Sequence, residues 1–423
     1  MRFGGACLLL LLLLSATRCF SYSVLTHEEI VDLLWASDIL PLIQHRFPGL
    51  TDDQIKEAHA YAYGGSVIQD LGYYPFGSAE FSDLVHYVRS GNFVEELIRQ
   101  SQDPKEYAFA LGALAHYVAD VDGHPAVNQA VALSFPKLRA KYGPSVTYVQ
   151  DKSAHLKTEF GFDTQQVAKN RYASDKYHDF IGFEVSAGLL ERTFPLVYGM
   201  NLKDVLPHED LAIGTYRWAI SRLIPQMTKV ALQLNKGQLA RESPNFSKRK
   251  FLYRLSRADY EKTWGNKYQR PGFGTRFLAA ILGILPKIGP FKGLNFKAPN
   301  QQTEDLYIKS INKTYEDYRA LLHKEDYQTP QLQDRDLDTG ESTHPAEYPL
   351  ADDTYAKLLT QLASKKFAQA SPDLRHILLQ FYANPPSKLK TRKDQARWQK
   401  VLAAIDELKS APPEAAPTAT ASQ

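Results

Sequence analysis

The amino-acid sequence predicts an all-α protein, and three observations support this fold class. From about Thr26 to Lys236, apolar residues recur three and four positions apart, as they do on one face of a helix. Strand-like alternation of apolar and polar residues is scarce there, and no internal repeat is visible. Hydrophobic residues make up 44% of the 423 positions, and the mean hydropathy is −0.36. These values are typical of a soluble globular protein with a substantial core.

The formal net charge is +3, spread over 50 basic and 47 acidic side chains. A balance of this kind neither indicates nor excludes a nucleic-acid or membrane partner. Both cysteines, Cys7 and Cys19, lie close to the N-terminus. If that segment is removed, the mature chain cannot form a disulfide.

Residues 1–21 predict a secretory signal peptide. Arg2 precedes an apolar run over residues 6–14, which is shorter than the about 20 residues that span a bilayer. We expect cleavage between Ser21 and Tyr22, and export of the mature chain as a secreted or periplasmic protein. A short membrane anchor is the alternative. No later segment is long and apolar enough to predict a transmembrane helix.

The rest of the chain divides into a helical domain, a mostly helical extension of unknown role and a tail. Within the extension, periodicity predicts helices over 303–322, 352–364 and 371–381, and the polar, proline-rich residues 325–350 predict a loop. The tail is rich in Ala, Pro and Thr, so we expect it to be disordered. The predicted boundaries are 22–236 for the domain, 237–409 for the extension and 410–423 for the tail.

The most apolar stretch of the extension is 276–293. Pro286 and Pro290 interrupt it, so it cannot form one long helix. We expect a buried helix–turn segment here. Peripheral contact with a lipid surface is the alternative, although the prolines disrupt the periodicity that a membrane-surface helix needs.

Histidine is concentrated early in the chain, where seven of the twelve histidines lie between positions 27 and 155. His116, Asp120 and His124 follow one another at four-residue steps. On a helix these side chains share a face but rotate by about 40° per step and span about 12 Å. Zinc–ligand bonds are only about 2 Å long, so the three residues cannot hold one ion together. They can bind neighbouring ions, with Asp120 between two of them.

Two further pairs add candidate ligands. His155 and Glu159 are again four residues apart and can chelate one metal ion from one helix face. Asp70 and His86 lie sixteen residues apart. Taken alone, such a four-residue pair is more often a surface pair, and a lone histidine in an apolar helix is more often a core residue. The histidines that we expect in the core are His45 and His59.

The predicted new N-terminus supplies a different kind of ligand. Thr26 and Glu29 have the spacing of a capping box, which would place His27 at the start of a helix. After cleavage, Tyr22 would have a free α-amine with a pKa near 7.7–8.0, so a metal ion can displace its proton at neutral pH. The amine and the carbonyl oxygen of Tyr22 can then form a chelate ring.

In order and type, these residues resemble the metal ligands of the bacterial zinc-dependent phospholipases C and, more distantly, of the fungal single-strand-specific zinc nucleases. The resemblance covers residues 22–159 by motif. Two features depart from the family pattern: Tyr22 replaces the usual Trp, and the spacing from Asp120 to His124 is shorter than usual. The matching positions are Tyr22, His27, Asp70, His86, His116, Asp120, His124, His155 and Glu159.

The resemblance implies three zinc ions and a phospholipase C reaction, which cleaves a phosphodiester to leave diacylglycerol and a phosphorylated head group. Zinc lowers the pKa of a bound water to about 7, and paired ions can stabilise both oxygens of an in-line displacement. The predicted catalytic residues are Asp70, as a base toward the attacking water, and Asp120, as the carboxylate shared between ions. The implied ligand sets are Asp70, His86, His116 and Asp120 for the first ion; His124, His155 and Glu159 for the second; and Tyr22, His27 and Asp120 for the third.

Two other functions stay open. A zinc nuclease or nucleotidase acting on single-stranded nucleic acid would need aromatic platforms for the bases, and Tyr73, Tyr74 and Phe76 are candidates. The fungal nucleases carry disulfides, which favours the phospholipase for this cysteine-poor chain.

A non-catalytic, secreted zinc-binding protein is the third possibility. Structural zinc sites are usually closed by four Cys or His ligands, however, whereas this set is rich in carboxylates.

Overall fold

The computed structural model describes residues 24–168, 181–224, 296–324, 331–383 and 392–411. In these ranges the chain is helical, with no strand beyond an isolated bridge between Arg335 and Ser342. The all-α prediction is therefore confirmed. The α-helices are α1 (Val24–Leu34), α2 (Leu40–Arg46), α3 (Asp52–Gly65), α4 (Ala79–Tyr87), α5 (Ser90–Gln100), α6 (Pro104–Ser134), α7 (Pro136–Tyr142), α8 (Lys152–Ala168), α9 (Ala187–Tyr198), α10 (Leu202–Val205), α11 (Glu209–Trp218), α12 (Gln301–Leu322), α13 (Pro349–Ser364), α14 (Pro372–Phe381) and α15 (Arg392–Ser410).

Shorter turns complete the described elements. A π-helical turn, Trp35–Ile39, joins α1 to α2, and another, Ala219–Leu223, follows α11. A 3₁₀ helix, Ile68–Tyr73, lies between α3 and α4. It places Asp70 in the interior, where the residue is 1% exposed.

Helix α6 is the axis of the fold, and α3 and α12 pack along it. Its start is well defined: Pro104 occupies the first turn, and the Asp103 carboxylate accepts hydrogen bonds from the backbone N–H groups of Lys105 and Glu106, both at 2.9 Å. Most of its length is apolar and buried, including the turn that carries His116 and the turn that carries Asp120.

Helices α3 and α6 approach each other through glycine. A Cβ atom on Gly65 would lie 1.9 Å from the carbonyl oxygen of Phe109, and one on Gly112 would lie 2.1 Å from that of Ala62. Neither position can carry a side chain without separating the helices. The close packing brings the end of α3 against the turn of α6 that bears His116.

The predicted capping box at Thr26 and Glu29 is wrong. Helix α1 already includes Val24, so Thr26 lies inside the helix. Its hydroxyl donates to Asp163 Oδ1 at 2.8 Å, and the backbone N–H of Leu25 donates to Asp163 Oδ2 at 3.0 Å. A carboxylate from α8 thus holds the first described turn of α1, a contact that local sequence cannot reveal.

The helices predicted over 303–322, 352–364 and 371–381 correspond to α12, α13 and α14. Residues 331–348 form the irregular connection that was expected before α13. Apolar residues from α1 to α15 form a single connected core, which includes both parts of the predicted two-part division at residue 236. That boundary itself stays a prediction. Residues 1–21, 276–293 and the tail from 412 onward lie outside the described residues.

Within the described ranges, no helix combines the length and the apolar character needed to cross a membrane.

Candidate metal centre

Eight of the nine predicted ligands lie in described residues, and each of the eight is at most 1% exposed. Tyr22 lies outside those residues. The eight side chains come from five separate elements, so their meeting depends on the tertiary fold. They are His27 on α1; Asp70 on the 3₁₀ helix; His86 on α4; His116, Asp120 and His124 on α6; and His155 and Glu159 on α8.

These side chains form three groups in which one candidate ligand atom from each residue lies within 4.8 Å of the others. The groups share members and lie side by side along α6. They resemble the predicted ligand sets, except that His116 joins His27 and Asp120, and that Asp120 is absent from the group of Asp70 and His86. The groups are His27, His116 and Asp120; Asp70, His86 and His116; and His124, His155 and Glu159.

Asp120 lies at the centre of the arrangement, and its two carboxylate oxygens face different histidines. Oδ2 lies 3.0 Å from Nε2 of His116 and 3.5 Å from Nε2 of His86. Oδ1 lies 3.5 Å from Nε2 of His27 and 3.8 Å from Nε2 of His124. This division is what a carboxylate that bridges two ions requires.

The distances between ligand atoms within each group suit zinc. Bonds of about 2.0–2.2 Å in tetrahedral arrangement place two ligand atoms about 3.3–3.6 Å apart. Nε2 of His86 lies 3.5 Å from Asp70 Oδ1, and Nε2 of His124 lies 3.6 Å from Glu159 Oε1. The four-residue pair His155 and Glu159 is closer, at 2.9 Å. The donor set of imidazoles and carboxylates is also one that zinc accepts.

Two of the histidines are oriented by backbone carbonyl groups. Nδ1 of His86 lies 2.8 Å from the oxygen of Ser82, and Nδ1 of His116 lies 2.9 Å from that of Ser66. A carbonyl can only accept, so Nδ1 of each ring carries a proton, and Nε2 faces the cluster. Such an arrangement is typical of metal-binding histidines.

Several buried atoms of the cluster make no hydrogen bond to any of the residues that the structure describes. They are Nε2 of His86, His116 and His155, and both carboxylate oxygens of Glu159. The 3.0 Å contact between His116 and Asp120 does not have the orientation of a hydrogen bond. Buried polar atoms normally have partners, so their convergence here fits a site for cations.

The electrostatic environment of His86 differs from that of His155 and Glu159. Burial opposes a positive charge on His86, but the carboxylates of Asp120 and Asp70 outweigh it and raise the pKa of His86 well above its ordinary value. Burial also raises the pKa of Glu159 well above its usual range and lowers the pKa of His155 to about 4. The surrounding protein therefore does not offset the free-energy cost of a buried negative charge on Glu159. A divalent cation bound there would offset that cost.

The two histidines expected in the core have different environments. His59 is fully buried, shares a 2.9 Å hydrogen bond with Asp32 and stacks on Trp35 with ring centroids 3.8 Å apart. His45 is exposed near the end of α2, so the prediction for it is wrong. It occupies the outer face of a short helix whose inner face is formed by Ile43.

The three candidate aromatic platforms also have different environments. Tyr73 is partly exposed, and its ring centroid lies 6.0 Å from that of His86. Tyr74 is buried and packs edge-on against Tyr216. Phe76 is 39% exposed and has a positive φ of 64°. Tyr73 is therefore the member of this trio that lies beside His86 and is partly exposed.

Sequence reasoning missed one acidic residue at the edge of the cluster. Oδ1 of Asp338 lies 3.6 Å from Nδ1 of His124, and Asp338 is 4% exposed. The only signal in the sequence is the alternation of three aspartates, Asp334, Asp336 and Asp338, in a segment otherwise predicted as a loop.

Comparison with known proteins agrees with this geometry. Residues 26–205, which run from α1 to α10, match the family model described as zinc dependent phospholipase C. No curated protein and no solved structure matched the chain. The matched segment contains all eight described candidate ligands. Residues 26–205 therefore match the zinc-dependent phospholipase C family, a family of phosphodiester-hydrolysing enzymes.

Proposed function

We propose that this protein is an exported phospholipase C that binds three zinc ions and hydrolyses the phosphodiester between diacylglycerol and the phospholipid head group. The observation that supports it most is the convergence of eight buried candidate ligands in three adjoining groups. The family match supports zinc and a phospholipid substrate, since it covers all of these residues.

The charge of the loaded centre suits this substrate. Three zinc ions bring six positive charges, and the carboxylates of Asp70, Asp120 and Glu159 remove three, which leaves about +3. A phosphodiester anion is attracted to such a site. Zinc supplies Lewis acidity and lowers the pKa of bound water to about 7. The lipid tails would have to remain outside, since the candidate ligands are themselves buried.

Each protein residue has a separate task in this proposal. Asp120 keeps adjacent groups at a fixed separation, because its two oxygens serve different histidines. Asp70 is the proposed base toward the attacking water. It is held by the 3₁₀ helix, with Oδ1 3.5 Å from Nε2 of His86. Ser82 and Ser66 orient His86 and His116 through their carbonyl oxygens.

Export and the proposed ligand Tyr22 are linked, because cleavage of the signal peptide would free the α-amine of Tyr22. Val24 and Leu25 already lie in the helix that carries His27, so Tyr22 is only two residues before the described chain. Cleavage between Ser21 and Tyr22 would free an amine two residues before the first described turn of α1. N-terminal sequencing of the exported protein should begin at Tyr22. A start several residues upstream would place the amine in a peptide bond and refute this ligand.

A side-by-side assay tests the reaction and the substrate class. Purified, zinc-loaded protein is incubated with phosphatidylcholine vesicles, bis-nitrophenyl phosphate and single-stranded DNA. We expect diacylglycerol and a water-soluble phosphorylated head group from the vesicles, and loss of this activity on chelation. Preferential cleavage of DNA would support the nuclease instead. Zinc-loaded protein that cleaves none of the three would refute the enzyme assignment and favour a non-catalytic zinc-binding protein.

A further inference from the structure

A segment outside the matched family region lies directly against the metal centre. We call residues 331–348, the connection that precedes α13, the strap. The backbone N–H of Leu337 donates to the carbonyl oxygen of His86 at 3.1 Å. The carboxylate of Asp334 accepts from the backbone N–H groups of Gly91 and Asn92, both at 3.1 Å, at the start of α5. The strap is therefore fixed to the last turn of α4 and to the start of α5.

The strap also contacts α6 between two candidate ligands. Gly340 has a φ of +74°, and a Cβ atom there would lie 2.4 Å from the carbonyl oxygen of Val121. Both the left-handed backbone and the close approach require glycine. Val121 follows Asp120 and precedes His124 by less than one turn. The strap backbone is thus seated on the part of α6 that carries the ligands.

This seating buries the side chain of Asp338. Its Oδ2 atom accepts hydrogen bonds from the hydroxyl of Tyr87, at 2.9 Å, and from that of Tyr348. Its backbone oxygen accepts from Nδ2 of Asn128 at 3.0 Å. The two tyrosines occupy one carboxylate oxygen, and the other oxygen, Oδ1, lies 3.6 Å from Nδ1 of His124.

The opposite edge of the His124 ring faces the metal centre. Its Nε2 atom lies 3.8 Å from Asp120 Oδ1 and 3.6 Å from Glu159 Oε1. A carboxylate beside Nδ1 favours the tautomer with the proton on that nitrogen, and it leaves the Nε2 lone pair for a ligand. For His86 and His116, backbone oxygens within the matched region do this. For His124, the carboxylate of Asp338 on the strap lies at the corresponding position.

We propose that Asp338 is a positioning residue that holds His124 in the orientation and tautomer needed for the ion of the His124, His155 and Glu159 group. The strap would then complete a metal centre whose eight described candidate ligands lie in the matched region. The inference rests on the proposed function, since it takes His124 as a zinc ligand.

The test compares zinc binding by the full-length protein and its Asp338→Asn variant. Zinc content is measured by elemental analysis, and the affinity of each ion by competition with a chromophoric chelator. We expect one ion of the variant to bind about 10–100-fold more weakly, as is usual when a carboxylate behind a metal-bound histidine is removed. In cobalt-substituted protein, the visible absorption of that ion should change while the remaining bands persist.

Asp334→Asn is the matched control. It lies in the same strap, and its amide oxygen can still accept from the start of α5, away from the cluster. We expect zinc affinity and cobalt spectrum to stay as in the wild type. An equal loss in both variants would overturn the proposal in favour of a purely structural strap.

A folded Asp338→Asn variant with wild-type affinity for every ion would also overturn it. If that variant fails to fold, Tyr348→Phe removes one hydroxyl that orients the carboxylate. It should weaken the same ion by a smaller factor, and unchanged binding would refute the inference. Wild-type protein that binds no zinc would instead refute the proposed function, so the two failures are distinguishable.

Discussion

At the scale of single residues, the arrangement of the cluster depends most on Asp120. It is fully buried, and four histidines approach its two oxygens within 3.8 Å. Burial would raise the pKa of this carboxyl, but the neighbouring His116 and His124 outweigh burial and hold the pKa of Asp120 well below its usual range. The carboxylate is therefore ionised at neutral pH and ready to bind cations.

Asp120→Asn should lose zinc and activity together. The amide has no negative charge and cannot bridge two ions through two equivalent oxygens, so we expect the diesterase rate to fall at least about 100-fold. Zinc content and phosphatidylcholine hydrolysis are measured on the same preparation. Asp122→Asn is the control, because Asp122 lies on the same helix and pairs instead with Lys313. A variant at position 120 that retained full zinc and full rate would contradict the central role of this residue.

The buried His59 gives a pH prediction that does not involve the candidate ligands. Burial lowers the pKa of His59 below its ordinary value, despite the hydrogen bond and the charge of Asp32. The folded protein therefore keeps His59 neutral at a pH where the unfolded chain protonates it. The contribution to stability is complete above pH about 6.5, the unfolded value, and is lost as the pH falls below it.

This linkage can be measured with His59→Gln, whose amide can still donate to Asp32. Between pH 6.5 and the lowered pKa of His59, the free energy of unfolding of the metal-free variant should depend less steeply on pH, by up to about 1.4 kcal/mol per pH unit. Denaturant titrations with chelator present, at several pH values, give both slopes. Equal slopes for the two proteins would show that His59 does not carry this effect.

The candidate ligands were predictable from the sequence because most of them fall at four-residue spacing or in a fixed order. Asp338 was not, because it follows His124 by more than two hundred positions and reaches it only through the strap. The failure at Thr26 has a similar cause. Its spacing to Glu29 fits a capping box, but Asp163 from another helix takes the hydroxyl.

At the scale of elements, the contact between α3 and α6 decides where His116 lies. Gly112 is one turn before His116, and its partner Ala62 is one turn before Ser66, whose carbonyl oxygen orients the His116 ring. The glycines thus set the distance between the helices, and this distance sets the position of the ring.

Gly112→Ala should therefore be destabilising and should weaken zinc binding. The added methyl group would lie 2.1 Å from a backbone oxygen, and overpacking of this kind costs typically about 1–3 kcal/mol. Gly214→Ala, on the exposed side of α11, meets nothing within 4 Å and should be stabilising by about 0.5–1 kcal/mol. Thermal and denaturant unfolding measure both. A Gly112→Ala protein as stable as the wild type would contradict the packing described for α3 and α6.

Element boundaries followed the sequence to within a few residues. Helix α13 begins at Pro349 rather than at 352, because proline is favoured in a first helical turn, and α12 begins at Gln301 with Asn300 as its cap. Helix α15 was covered only by the general expectation of a helical extension. Its residues are strongly charged, so burial of Val401 and Leu408 depends on the presence of a neighbouring helix, α13.

At the scale of the whole molecule, the matched region and the C-terminal helices share one core. Tyr318 on α12 donates to the carbonyl oxygen of Leu111 on α6 at 2.8 Å, and Arg89 reaches from the matched region to Asp373 on α14. The sequence offered no sign of this, since helical periodicity identifies a buried face but not the helix that covers it.

We therefore expect a single cooperative transition in calorimetry of the zinc-loaded protein. Removal of zinc by a chelator should lower the melting temperature by more than about 5 °C, because ions that bind only the folded state stabilise it. Two separate transitions would contradict the shared core. An unchanged melting temperature would contradict metal binding at the centre.

Metal analysis of purified, active protein tests the central claim most directly. The three adjoining groups of buried ligands predict about three zinc ions per chain, together with loss of diesterase activity when a chelator removes them. Active protein that contained almost no metal would contradict the account, because the convergence of His27, Asp120 and His155 with their neighbours would then have no role in the reaction.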